Sequence, residues 1–289
     1  MSGSANPTAV LLLSCLDQRG IVAAVANFIA EHDGNIVHAD QHVDLASDGR
    51  EMFFQRVEFE LDGFAVAPQD LETAFAPVSA RFGMDVQLRF TDVRIPTAIM
   101  VSRQPHCLAD LLVRWSAGEL DCDLRVVIAN HPDHAGLCAG LGVPYVHIPV
   151  TGDSDDQEAA VLAMLAEHAV DLVVLARYMR ILSPRAIAAY PNRIINIHHS
   201  FLPAFAGANP YRQAHDRGVK LIGATAHYAT DDLDEGPIID QETVRVSHRD
   251  DVARLTRAGR DLETVVLARA VRAHLDHRVL VFGRKTIVF

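Results

Sequence analysis

Three side chains in this sequence are spaced to act on a carbonyl group: Asn196, His198 and, farther along, Asp234. The first two lie in Asn196-Ile197-His198-His199-Ser200-Phe201-Leu202-Pro203, the third in Asp231-Asp232-Leu233-Asp234-Glu235-Gly236-Pro237. Between them Gly223-Ala224-Thr225-Ala226-His227-Tyr228 reads as an apolar strand that delivers His227 to its end. Ile194 and Ile195 make the approach to Asn196 a buried strand as well. Alternate residues of a strand share a face, so Asn196 and His198 aim at one point. An amide and an imidazole there donate to a developing oxyanion, while a carboxylate accepts or relays a proton. Partial desolvation is expected to raise the pKa of Asp234. The same alternation sends His199 to the opposite face, where it is expected to pack beneath the site. Adjacent histidines that diverge make a poor ligand set, so chemistry without a metal is expected. Taken alone, an Asn-x-His pair is more often a strand cap beside a solvated turn.

The elements that position these groups need a sizeable fold. A chain of 289 residues that is 49% hydrophobic can bury the cores of two domains. Lys and Arg total 26 against 37 Asp and Glu, a formal charge of −11, which argues against nucleic acid or an anionic membrane as partner. Cys15, Cys107, Cys122 and Cys138 are scattered without a Cys-x-x-Cys, so reduced thiols in a cytoplasmic protein are expected. The apolar run 9–13 is too short for a signal core, and no run approaches the roughly 20 residues of a membrane helix.

Residues 8–92 read as one unit in the order βαββαβ, a ferredoxin-like sheet with helices on one face. Its strands are expected at 9–13, 36–45, 52–61 and 86–90. Its helices are expected from Ile21, terminated by Gly34, and over 71–82, ending at Gly83. Asp17-Gln18-Arg19-Gly20 makes the first turn and Ser47-Asp48-Gly49 a hairpin. Beyond a boundary near 92–96, strands and helices alternate, which implies a doubly wound, mostly parallel sheet. Domains of 1–92 and 93–289 follow. The tail is expected as an amphipathic helix over 250–275 and two short strands around Phe282-Gly283.

Asn196-x-His198, Ser200-x-Leu202-Pro203 and Asp234-x-Gly236 together resemble the signature of folate-dependent formyltransferases. Within that family the chain is most similar to formyltetrahydrofolate deformylases, through His198-His199-Ser200-Phe201-Leu202-Pro203-Ala204-Phe205, the run 218–228 and Asp234-Glu235-Gly236-Pro237-Ile238-Ile239. The segment 207–214 matches in part, with Asn209 and Arg212 departing from the residues common there. The resemblance implies an N-terminal ACT domain and a formyltransferase-type hydrolase domain. It implies hydrolysis of 10-formyltetrahydrofolate to formate and tetrahydrofolate, supplying one-carbon and purine metabolism, with folate as substrate and no cofactor. Asn196, His198 and Asp234 would be catalytic. Met179, Arg180, Ile181 and Leu182 would hold the pterin, with His227, Thr230, Asp231, Glu235 and Gly236 completing the substrate pocket. ACT relatives pair their sheets in homo-oligomers and often bind an amino-acid effector, here assigned to Asp17, Gly20 and Asn35. Related transferases hold an acceptor phosphate in a glycine-rich loop, where this chain has Ser102-Arg103-Gln104-Pro105-His106-Cys107. Pro105 removes a backbone donor, so water is the expected nucleophile. Formyl transfer to an amine and a non-catalytic folate or amino-acid sensor are the alternatives.

Overall fold

Ala9, Val10, Leu11, Leu12 and Leu13 are all buried because they form the middle of a central strand covered on both faces. The computed structural model describes residues 6–150, 154–203 and 210–289. It divides into two compact units. The first runs to Arg94 and takes in Asp276–Leu280 and Ile287–Phe289; the second comprises Ile95–Leu275 and Val281–Thr286. The tail expected with 93–289 is therefore shared between the units.

In the first unit the elements are β1 (Thr8–Leu16), α1 (Ile21–Glu31), β2 (Ile36–Leu45), β3 (Glu51–Glu60), α2 (Leu71–Phe82) and β4 (Asp85–Phe90). Every pairing is antiparallel and the order is β2-β3-β1-β4, the ferredoxin-like arrangement. Ile21, Val25, Phe28 and Ile29, spaced by three and four, form the buried stripe of α1 and join Leu11, Leu13, Phe53, Phe59 and Phe75 in one core. Gly34 serves the end of α1 differently from expectation. The left-handed residue is Asp33 (φ 60), and Gly34 is needed because a Cβ there would press on Ile29 and Phe64. Arg56, buried in β3, explains why part of the tail belongs here. It donates from Nε to the His277 carbonyl (3.0 Å) and from Nη2 to the Asp276 carbonyl (3.2 Å) and Glu58 (2.8 Å).

The second unit continues with β5 (Ile95–Val101), α3 (His106–Ser116), β6 (Cys122–Ala129), α4 (Ala135–Gly140) and β7 (Tyr145–His147). Next come α5 (Ser154–Glu167), β8 (Leu172–Leu175), α6 (Pro184–Ala189), β9 (Ile194–His198) and α7 (Pro210–Arg217). Then come β10 (Leu221–Tyr228), β11 (Ile238–Arg245) and α8 (Val252–Leu275), and the paired short strands β12 (Val279–Phe282) and β13 (Lys285–Val288) are divided between the two units. The large sheet has the order β11-β10-β9-β8-β5-β6-β7. Strands β5 to β9 pair in parallel, whereas β10 is antiparallel to both neighbours. Strand β11 has no counterpart in the sequence reading. Its polar run Asp240-Gln241-Glu242-Thr243 suits a sheet edge and lacks the apolar density of the parallel strands. A register shift between Ala226 and His227 breaks the regular ladder between β10 and β11, and pairing resumes at His227 with Ile238. Among the described residues no helix is long and apolar enough to cross a membrane.

Candidate active site

Strand β9 presents Asn196 and His198 on one face, and Ile197 between them turns into the core. Antiparallel pairing with β10 sets His227 directly opposite Asn196. The His227 Nδ1 donates to the Tyr228 carbonyl (3.0 Å), which leaves Nε2 to accept from the Asn196 amide Nδ2 at 3.2 Å. Burial lowers the pKa of His227, in keeping with that neutral form. One amide hydrogen of Asn196 is thus used in fixing its orientation, and the second has no protein acceptor among the described residues.

Asp234 reaches this point from a turn in which it holds a left-handed conformation (φ 59). Its Oδ1 accepts from the His198 Nδ1 at 3.1 Å and lies 3.8 Å from the His227 Nε2. The hydrogen bond from His198 outweighs partial burial and lowers the pKa of Asp234. That corrects the expectation of a raised value: the carboxylate is partly desolvated, but into the company of donors. His198 is 5% exposed, and its Nε2 has no protein partner among the described residues. Gly236 does not line the cleft. It stands behind the turn, where a Cβ would collide with the Tyr228 carbonyl oxygen.

These groups open into a cleft of about 720 Å³. Met179, Arg180, Ile181 and Leu182 form one wall, and Thr230, Asp231 and Leu233 another. Met179 and Ile181 are 58% and 75% exposed, so this wall offers apolar surface that the chain itself leaves uncovered. The Met179 backbone N–H is held by the Ser102 hydroxyl (3.0 Å), and Thr230 donates to the Asp232 carbonyl (3.0 Å) within its own loop. Glu235 corrects another expectation: it is exposed, ion-paired with Arg284, and absent from the cleft lining. The partly matching segment 207–214 lies outside the described residues up to Asn209, while Arg212 lines the cleft.

His199 also departs from expectation. Strand β9 ends at His198, so strict alternation stops there, and His199 lines the same cleft. Its ring centroid lies 5.0 Å from that of His198 and 6.3 Å, edge-on, from that of Tyr211. Burial, then the charges of Arg177 and His198, lower its pKa to about 4.

A second polar group on the cleft wall went unnoticed in the sequence. Glu263 of α8, 1% exposed, accepts from Tyr211 Oη at 2.5 Å and from His106 Nε2 at 2.7 Å, with Arg177 Nε at 3.5 Å. Burial alone would raise its pKa, yet these donors and the charge of Arg177 hold it below the ordinary carboxylate value. Gly259, one turn earlier, makes the arrangement possible, since any Cβ there would strike the Tyr211 ring and hydroxyl. The available signal was a carboxylate at Glu263 in step with buried Leu255, Gly259 and Leu267 on one helical stripe. Among the described residues His106, Cys107 and Glu263 bring three ligand types within 4.8 Å. Both Glu263 oxygens are already engaged, however, and burial pushes the Cys107 thiol up, which keeps it protonated.

In the first unit Gly20 caps α1 in a left-handed conformation (φ 94) that favours glycine. The exposed Asp17 donates its backbone N–H to the Glu51 carbonyl, and the Asn35 amide donates to the Glu60 carboxylate at 2.9 Å.

Residues 95–271 match the family model described as formyl transferase, and residues 9–69 match that of the ACT domain. The formyltetrahydrofolate deformylase of Synechocystis sp. is 53% identical over 98% of this chain and 99% of its own length. That of Bacillus subtilis is 48% identical over 96% of this chain and 93% of its own length. The crystal structure of a formyltetrahydrofolate deformylase from Pseudomonas syringae pv. tomato superposes with a TM-score of 0.95 at 47% identity, covering 100% of this chain and 96% of that one. Glycinamide ribonucleotide transformylase 1 from Symbiobacterium toebii covers 68% of this chain and 94% of its own, with a TM-score of 0.65 and 34% identity. The transformylase thus shares part of the chain, whereas the deformylases share nearly all of it, the ACT portion included. The chain belongs to the formyltetrahydrofolate deformylase family.

Proposed function

We propose that this protein hydrolyses 10-formyltetrahydrofolate to formate and tetrahydrofolate, with Asn196, His198 and Asp234 as its catalytic residues. The observation that supports this most is the hydrogen bond of His198 to Asp234 beside an Asn196 whose amide is locked by His227. The pterin lies against Met179, Arg180, Ile181 and Leu182, and the loop of Thr230 and Asp231 closes over it. The formyl oxygen then faces the second Asn196 N–H and the His198 Nε2. As water adds to the carbonyl carbon, those two donors stabilise the oxyanion, each worth roughly 3 to 4 kcal/mol. Asp234 keeps the His198 ring in place and compensates its positive charge when Nε2 is protonated. Formate leaves for one-carbon and purine metabolism. The test is formate release from 10-formyltetrahydrofolate with and without amine acceptors. Release that needs no acceptor is expected; release only with an amine would make the protein a transferase, and none at all a sensor.

Chemistry of this kind needs no metal. Dialysis against a strong chelator should leave hydrolysis unchanged, and activity lost on chelation and restored by zinc would replace this mechanism with a metal-bound water.

The first unit we read as an ACT domain, residues 1–92, that joins subunits and senses an amino acid, with 93–289 as the hydrolase domain. Strand β2 supports the joining role, for among the described residues it is an edge strand, paired only with β3, and it leaves Val37, Val43 and Leu45 exposed. The left-handed Gly20 turn, Asp17 and Asn35 are the effector candidates, with glycine or methionine as the amino acid. Calorimetric titration beside rate measurements should show binding and a changed rate. If neither amino acid binds and Asp17→Ala is silent, the unit is an assembly module. Four free cysteines suit a reducing cytoplasm.

A further inference from the structure

Hydrolysis requires one more group than the three already assigned. A proton leaves the attacking water and another must reach the departing nitrogen. Asp234 is committed through its Oδ1 to the His198 ring, which it supports while that ring faces the oxyanion. Asn196 and His198 are occupied with the oxyanion. His227 is bonded through both ring nitrogens, and His106 is committed to Glu263. His199 is the imidazole on the cleft wall that makes no protein hydrogen bond among the described residues.

Its place is well defined all the same. The His199 ring sits 5.0 Å from the His198 ring on one side and edge-on to Tyr211 on the other. Tyr211 is itself pinned, its hydroxyl on the buried Glu263 and its ring in the space that Gly259 leaves. A polar ring with unused nitrogens is thereby wedged beside the oxyanion donors. We infer that His199 is the proton carrier of this reaction, taking the proton of the attacking water and delivering it to N10 of the folate.

The inference rests on the hydrolytic reading above. In the first step the water oxygen bonds to the formyl carbon, the carbonyl electron pair moves to oxygen, and the water proton passes to the His199 lone pair. In the second, the oxyanion pair re-forms the carbonyl and the C–N10 bond breaks. Its electrons stay on nitrogen, which takes the proton from His199. Formic acid then loses its proton, leaving formate, tetrahydrofolate and one proton from the substrate and one water.

The charges around His199 suit the second step. Arg177 and His198 disfavour its cation, Glu263 and Asp234 oppose them in part, and burial is the largest influence, so the ring rests neutral at pH 7. Once protonated it is a stronger acid than ordinary imidazolium. N10 is an arylamine nitrogen of low basicity, and a strong acid is what it needs to leave.

The experiment compares wild type with His199→Ala and His199→Gln under saturating 10-formyltetrahydrofolate, with and without added imidazole. A loss of kcat of roughly a hundredfold is expected in both variants, the usual scale for a missing acid–base group. KM and the calorimetric affinity for tetrahydrofolate should stay close to wild type. Imidazole should speed His199→Ala, which has room for it, and not His199→Gln. Two outcomes overturn the assignment: kcat retained within a few-fold in both variants, or a slow His199→Ala that does not respond to imidazole while still binding tetrahydrofolate. Loss of the hydrolytic reading looks different, because wild type itself then releases no formate.

Discussion

Replacing Asp234 by asparagine should lower formate release at least about a hundredfold, the scale of losing one oxyanion donor, because His198 then loses the charge that supports it. The fold should survive, because the side chain sits in a turn at the cleft, outside the hydrophobic core. Three physical consequences converge on the loss. The amide has no charge with which to compensate a protonated His198, and it weakens the 3.1 Å hydrogen bond that orients the ring. It can also turn its NH2 toward His198, which rewards the tautomer that leaves Nδ1 unprotonated. Asn196→Ala and His198→Ala should be comparably slow through loss of an oxyanion donor. The sign with pH follows from the lowered pKa of Asp234: its charge persists below the ordinary carboxylate range, so the wild-type requirement for that charge should be met down to mildly acid pH. Thermal unfolding separates damage to the fold from damage to the chemistry. Turnover near wild type in Asp234→Asn would sink the catalytic assignment.

Glu263→Ala should be the most destabilising single change in the cleft wall, costing about 3 to 5 kcal/mol, the range for stripping a buried charge of its partner. Removing the carboxylate leaves the Arg177 guanidinium without its counter-charge and the Tyr211 hydroxyl and His106 Nε2 without acceptors. A cavity opens at the same place, in a helix stripe packed by Leu255 and Leu267. The pH dependence has a definite direction. The folded pKa of Glu263 lies below the unfolded one, so its contribution is complete above the unfolded value and fades as pH falls through the folded value. Urea titration of wild type and Glu263→Ala at neutral pH, and again near pH 4, measures both effects. The gap between the two proteins should be wide at neutral pH and narrower in acid. Equal midpoints at neutral pH would mean that Arg177 and Tyr211 find other partners at no cost.

Much of this was legible along the chain, wherever the physics is local. The spacing of Ile21, Val25, Phe28 and Ile29 made one face of a helix, and Gly83, at φ 63, ended the next one where a left-handed residue was required. Asn196 and His198 were bound to share a face because two residues apart in a strand always do. What the local pattern could not supply was anything depending on a neighbour distant in sequence. The charge state favoured by Asp234 turned on a donor thirty-six positions earlier, His198, and not on burial alone. His199 came to the cleft because β9 ends one residue before it, and the end of a strand is set by where its partner β10 stops pairing. Gly34 looked like a helix stop and proved to be a matter of room beside Phe64. The Glu263 cluster gathers side chains from α3, α7, α8 and the turn after β8, each an ordinary surface-type residue in its own segment. Periodicity reports which face of an element is turned inward. Only the packing of elements decides which polar groups meet there, and so which of them remain charged.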